Sequence, residues 1–140
     1  MNTAISVEHL GIAAYQHAAE SGLLTPRIRS LALVFQGHHR QHRDAFSTAV
    51  QRIGGAPAQP RSTAEYVQSL GAPTTQAQIL RLALGLEKRA ANAYLFMHRL
   101  IDDRELKYLL ARFAGDEAMH WGMWAFELGE AAPERAAVFG

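Results

Sequence analysis

Glu8, Glu87 and Glu117, with His39, His42 and His120, are the residues of this chain best placed to do chemistry. On a helix, residues three, four and seven apart share a face. His39-x-x-His42 and Glu117-x-x-His120 therefore each aim two donors one turn apart in the same direction, while Glu8 and Glu87 each interrupt an otherwise apolar stripe. An ionised carboxylate in such a stripe is expensive to bury unless something compensates it. A divalent cation does so economically, because one ion holds several carboxylates and imidazoles together. The chemistry indicated is metal binding.

The pattern is written twice. Glu8 and Tyr15 recur 79 positions later as Glu87 and Tyr94. Phe35-x-Gly37-x-His39-x-x-His42 recurs 78 positions later as Phe113-x-Gly115-x-Glu117-x-x-His120, and Phe46 and Trp124 extend the match by another turn. A lone Glu-x-x-His arises by chance on many polar faces, whereas aromatic, glycine, acidic and histidine positions in common register are far more specific. The stripes read Glu8, Ile12, Tyr15 and Ala19; Phe35, His39, His42 and Phe46; Glu87, Ala91, Tyr94 and His98; and Phe113, Glu117, His120 and Trp124. Tyr15 and Tyr94 are candidates to donate hydrogen bonds to ligand carboxylates or to take part in redox chemistry, although core packing is the commoner role of such tyrosines. His38 matches Asp116 beside the ligand position and reads either as a support for the ligands or as a rotated alternative to His39, because it is four residues from His42 and His39 is three. His98 reads as a core or rim histidine, and His9 and His17 fall off the stripe and read as solvated.

Helices must position these residues. The pattern predicts helices over about 3–20, 26–53, 75–101 and 103–129. Their ends are marked by Gly22 at a C′ position, Thr25-Pro26 as N-cap and N1, Gly54-Gly55 as a stop, Thr75-x-x-Gln78 and Asp102-x-x-Glu105 as capping boxes, and Gly129 with Pro133 beyond. Only a few residues join the first two helices and the last two, so each pair reads as an antiparallel hairpin. Residues 54–74, rich in Gly, Pro, Ser and Ala, are too long for a tight turn. At about 3.3 Å per extended residue, against 1.5 Å per helical residue, they are able to travel the length of a helix. Ser62-x-x-Glu65 marks a short helical turn within them. The expected fold is all-α: a four-helix bundle of two antiparallel hairpins joined by one long crossover, as a single domain over 1–140.

Composition narrows the classes. A chain of 140 residues is long enough for a real core, and 49% apolar against 19% charged is more apolar than a lone bundle needs. A homodimer is therefore expected, with apolar surface covered by a second copy. A net charge of +1 with both signs interspersed leaves no electrostatic footprint for nucleic acid or for a membrane surface. No apolar run approaches the roughly 20 residues needed to span a bilayer. The absence of cysteine excludes disulfides, thiolate ligands and cysteine nucleophiles. No charged segment with an apolar core precedes the first helix, so the chain as written is expected to be cytoplasmic, or periplasmic if a leader was removed.

On these residues the chain resembles the ferritin-like superfamily, and within it the small bacterial ferritin-like domain proteins, from Ile5 to Gly129. The resemblance implies a di-iron or di-manganese centre with one Glu from each of the first and third long helices and a Glu-x-x-His from each of the other two. Residue by residue, Glu8 and Glu87 match the single glutamates. Glu117 and His120 match the last pair, with Asp116 completing an Asp-Glu-x-x-His form, and His42 matches the other histidine. His39 departs from the pattern by standing where a bridging glutamate belongs. Four carboxylates neutralise two divalent ions, whereas Glu8, Glu87 and Glu117 leave one positive charge. Nitrogen-rich ligation also shifts preference toward zinc, copper or nickel. Two function classes follow: a metal-dependent oxidoreductase or an iron- and oxygen-handling protein acting on a small molecule, or a non-catalytic, zinc-binding or structural homo-oligomer. With no fifth helix after the last, a storage cage is not expected.

Overall fold

Core positions in this chain recur at alternating steps of four and three, the spacing that keeps one helix face against its neighbours in a bundle. On one helix they are Ile28, Ala32, Phe35, His39, His42, Phe46 and Ala49, and on another Leu106, Leu110, Phe113, Glu117, His120 and Trp124. In the computed structural model, which describes residues 1–130, five helices form: α1 (Asn2–Glu20), α2 (Pro26–Arg52), α3 (Thr63–Leu70), α4 (Gln76–His98) and α5 (Arg104–Glu127). The described residues contain no strand, as the all-α expectation requires. No helix among them is long and apolar enough to cross a membrane. The expected stop at Pro133 lies outside the described residues. The chain divides into two compact units, Met1–Ile79 and a second from Leu80 onward.

In the first unit α1 and α2 form an antiparallel hairpin whose register is set by polar cross-links. Arg29 Nε donates to the Ala19 carbonyl at 2.9 Å. Further along, Gln36 Nε2 donates to the Ile12 carbonyl at 3.0 Å and to Gln16 Oε1 at 2.9 Å. Residue numbers fall on α1 as they rise on α2, so the helices run in opposite directions. Thr25 and Pro26 take the expected cap positions, but the Thr25 side chain makes no capping bond; its N–H donates instead to Gln76 Oε1 at 2.8 Å.

The crossover traverses this hairpin from end to end. It leaves α2 at Gly54, whose φ of +77° is one glycine tolerates best. It then docks on the start of α1, where Asn2 Nδ2 donates to the Ala56 carbonyl and Asn2 Oδ1 accepts from the Ala58 N–H, each at 3.0 Å. His9 Nε2 lies 3.2 Å from the Ala58 carbonyl, so this half-buried residue holds the crossover rather than facing solvent as expected. His17 is likewise half-buried. The capping box at Ser62 and Glu65 is complete, and α3, which packs on α1, is a full two turns rather than one. At the far end Gln78 N–H donates to Thr75 Oγ1, but Gln78 Oε1 accepts from Thr74, so the reciprocal half of that box is shifted by one residue.

In the second unit α4 ends at His98, earlier than expected, and residues 99 and 100 form a turn. The α5 N-cap is Asp103 rather than Asp102: its Oδ1 accepts from Leu106 N–H at 3.0 Å. Lys88 Nζ sits 5.4 Å from the centre of the Trp121 ring, and Glu87 faces His120. These contacts lie about 17 Å up α4 from its end and about 24 Å along α5 from its start, at 1.5 Å per residue. With so short a connection, α5 must fold back along α4.

Gln36 is almost fully buried with its amide committed to α1. Gln36→Ala removes two hydrogen bonds and leaves a void, and is expected to destabilise the protein by about 2 kcal/mol. Urea unfolding of the metal-free protein, with an unchanged m-value, checks this.

Candidate metal centre

Each unit buries one set of the residues that the sequence singled out. Glu8, His39 and His42 in the first unit, and Glu87, Glu117 and His120 in the second, are all nearly inaccessible to solvent. In each set the potential ligand atoms lie within 4.8 Å of one another. Helix periodicity explains the convergence, since the ligand positions continue the apolar stripes of α1, α2, α4 and α5. Phe35 and Phe46 lie one turn to either side of the histidine pair on α2, as Phe113 and Trp124 do around Glu117 and His120 on α5, and all four are buried. Aromatic layers thus keep water from the charged groups, which strengthens every interaction within the layer and makes an unsatisfied charge costly.

In the first unit the two oxygens of Glu8 face different imidazoles. Oε2 is 2.6 Å from His39 Nδ1 and Oε1 is 3.5 Å from His42 Nδ1. Burial pushes the Glu8 carboxyl up, but the hydrogen bonds and positive charge of His39 and His42 more than offset it, holding the group below its ordinary 4.5. With Glu8 ionised, His39 Nδ1–H is the donor of a short charge-assisted hydrogen bond. Tyr15 is buried and stacks on the His39 ring at 5.4 Å between centroids, and meets Phe35 edge-on. Its ring thus packs against the imidazole of a candidate ligand. His38 is half-buried and tilted against Phe35, so His39, not His38, is the inward residue.

The second unit has more carboxylate. His120 Nδ1 lies 3.0 Å from Glu117 Oε2 and 3.6 Å from Glu87 Oε2. Burial pushes the His120 pKa down, yet the hydrogen bonds and charges of Glu117 and Glu87 raise it above its ordinary 6.5. Tyr94 is fully buried on the same face of α4, whereas His98 is only half-buried. Donor atoms about 2.1 Å from a shared ion sit on the order of 3.0–3.4 Å apart. The separations of 3.0, 3.5 and 3.6 Å approach that spacing, and the donor set suits a divalent cation. The 2.6 Å pair is closer and is a proton-mediated contact.

Two buried residues escaped sequence reading. Gly11, not Ile12, completes the inward stripe of α1, since Gly11 is buried and Ile12 only half-buried. Steps of three and four both suit a helix face, so the spacing alone left the choice open. Gln36 was hidden because a glutamine beside a stripe reads as surface.

The directions of these pKa changes set a pH dependence. The stability contributed by Glu8 is present above the ordinary carboxylate value of 4.5 and is lost as pH falls through the lowered folded value. That of His120 is fully present below 6.5 and is lost as pH rises through the raised folded value. The metal-free protein should therefore have its highest Tm between these limits. Glu8→Gln should flatten the acid limb of a plot of Tm against pH, and His120→Asn the alkaline limb. A Tm that does not change from about pH 3 to 9 contradicts this account.

Comparison with known proteins agrees with the residues. The model of the ferritin-like domain family matches residues 1–130. Among solved structures, a conserved hypothetical protein of Mycobacterium tuberculosis, Rv2844, superposes with a TM-score of 0.82. It is 23% identical, and the match covers 97% of this chain and 92% of that one. At this identity the likeness shows the fold. A comparison with curated proteins found no match. The family match, which spans every described residue, places this protein in the ferritin-like domain family.

Proposed function

We propose that this chain is a divalent-metal-binding protein with two unlike subsites, one on each hairpin. The observation that carries the reading is the pair of buried clusters, each combining carboxylate and imidazole with no solvent to stabilise the charge. Glu87, Glu117 and His120 would hold one ion and neutralise its charge with two carboxylates. Glu8, His39 and His42 would hold another with a single carboxylate, leaving one positive charge in a dry layer. The first set suits a hard ion such as iron or manganese, and the second a borderline ion such as zinc. Iron or manganese would supply redox chemistry toward dioxygen or peroxide, the chemistry that an oxidoreductase or iron-handling role requires. The nitrogen-rich α1–α2 set favours a second reading, a non-catalytic zinc-binding bundle.

The protein's own groups set how metal enters. In the metal-free state protons occupy the contacts between imidazole and carboxylate, and an ion must displace them. Binding should therefore release protons and weaken as pH falls. Titration calorimetry in buffers of different ionisation enthalpy is expected to show that release.

Stoichiometry tests the asymmetry. One ion should bind tightly and a second weakly, and His39→Glu should raise occupancy toward two per chain while shifting preference from zinc to iron or manganese. Elemental analysis and calorimetry on both proteins check it. Two equivalent ions in wild type, or loss of all binding in His39→Glu, would count against the charge argument. Redox-active iron or manganese in protein from its native host supports the oxidoreductase reading, and tightly held zinc the other.

We also propose a homodimer. Met119, Met123 and Phe126 share one face of α5 and are exposed, Phe126 by 76%, and such a face is commonly covered in an oligomer. A specific contact buries more than about 1,000 Å² in total. Sedimentation velocity at micromolar concentration should show a dimer that Phe126→Glu weakens. A monomeric wild type refutes the pairing.

A further inference from the structure

Gly11 is unlike the other glycines inside the helices of this chain. A Cβ built on Gly37, Gly85, Gly115 or Gly122 meets nothing within 4 Å. One built on Gly11 would stand 3.0 Å from His39 Nδ1 and 3.1 Å from both Cε1 and Cγ. Nearly equal distances to three ring atoms mean that the imidazole lies over the α1 backbone, where an added methyl would force the ring to give by a few tenths of an ångström. Tyr15 stacks on the same ring with planes 30° apart, and Glu8 engages its Nδ1. Three residues of α1, one and two turns apart, thus form a seat for His39: Glu8 binds the nitrogen, Gly11 supplies the floor and Tyr15 covers a face. Glycine is a poor helix former, so its place in the middle of α1 calls for a reason of this kind.

The second half of the chain supplies an internal control. The residue 79 positions after Gly11 is Ala90, and the residue 78 positions after His39 is Glu117. Glycine accompanies the histidine, and alanine accompanies the glutamate. A carboxylate on a flexible stem does not need the bare backbone that a flat, rigid ring does.

We propose that Gly11 is the positioning residue for His39, and that the Gly11–His39 pair makes the α1–α2 subsite selective for a borderline divalent cation. This rests on the metal-binding reading above. With Gly11 in place, the ring is held so that the subsite offers two imidazoles and one carboxylate. With alanine there, the ring must give by a few tenths of an ångström against Glu8 and Tyr15, which hold its other sides, and the nitrogen donor leaves its position in the subsite.

The test is a double-mutant cycle on the full chain: wild type, Gly11→Ala, His39→Glu and the two combined. Thermal melting of the metal-free proteins needs no bound ion. Gly11→Ala should lower Tm in the wild-type background, although alanine is the better helix former, and raise it or leave it unchanged in the His39→Glu background. Cobalt(II) serves as the metal probe, because its visible d–d bands report the ligand set. Gly11→Ala should weaken the nitrogen-rich subsite at least tenfold and change its spectrum, while binding at Glu87, Glu117 and His120 stays the same. A higher Tm for Gly11→Ala in the wild-type background, or unaltered cobalt bands, overturns the proposal. If Gly11→Ala does not fold, a folded double variant supports the proposal, and an unfolded one overturns it. If cobalt and zinc bind to none of the four proteins, the metal-binding reading falls, and the proposed selectivity with it. The melting cycle then still decides whether Gly11 seats the ring.

Discussion

Everything in this fold depends on the cost of taking carboxylates and imidazoles out of water. Glu8, Glu87 and Glu117 are almost completely inaccessible, and an ionised carboxylate in that condition is tolerated only with a partner at bonding distance. The first hairpin meets the requirement with two histidines on the helix facing Glu8. The second meets it with His120, which lies one turn from Glu117 on the same helix and faces Glu87 across the hairpin. The helices must then hold those partners to within tenths of an ångström. The aromatic residues beside the ligand positions, Phe35, Phe46, Phe113 and Trp124, keep the layer dry. They raise the cost of an unsatisfied charge and the strength of a satisfied one together.

The two hairpins answer the same constraint differently. On α1 and α2 one carboxylate serves two imidazoles, and burial is outweighed by hydrogen bonds that keep Glu8 ionised. On α4 and α5 two carboxylates surround one imidazole and keep His120 protonated to higher pH than usual. The metal-free arrangements are therefore proton-bridged, with opposite excess: nitrogen in one, carboxylate in the other. A divalent ion that displaced those protons would meet a harder ligand set on the second hairpin than on the first.

Much of this was legible in the sequence because helix periodicity turns spacing directly into direction. His39 and His42, or Glu117 and His120, point the same way on any α-helix, whatever surrounds them. Local chemistry marked most helix ends, as Gly22, Pro26, Ser62 and Gly129 illustrate. It was less able to choose between adjacent capping residues: Asp103 rather than Asp102 caps α5, because the choice turns on how the connecting residues approach. His9 read as solvated, since nothing in its neighbourhood of the chain reveals that residues 56–58 return to cover it.

By itself, then, the sequence determined the helical class, the carboxylate and imidazole side chains of the candidate site and the faces on which they lie, all of which follow from rules acting over one or two turns. Only the tertiary structure decided which residues approach closely across helices. The spacing rules allow either Gly11 or Ile12 to face inward, but only one of them leaves α1 bare beneath an imidazole from α2. Likewise, the amide of Gln36 acquired its purpose from the Ile12 carbonyl and Gln16 on the antiparallel helix. Periodicity fixes the direction in which a side chain leaves its helix. The separation and register of two packed helices fix what it meets, and those are set by all the contacts of the hairpin at once.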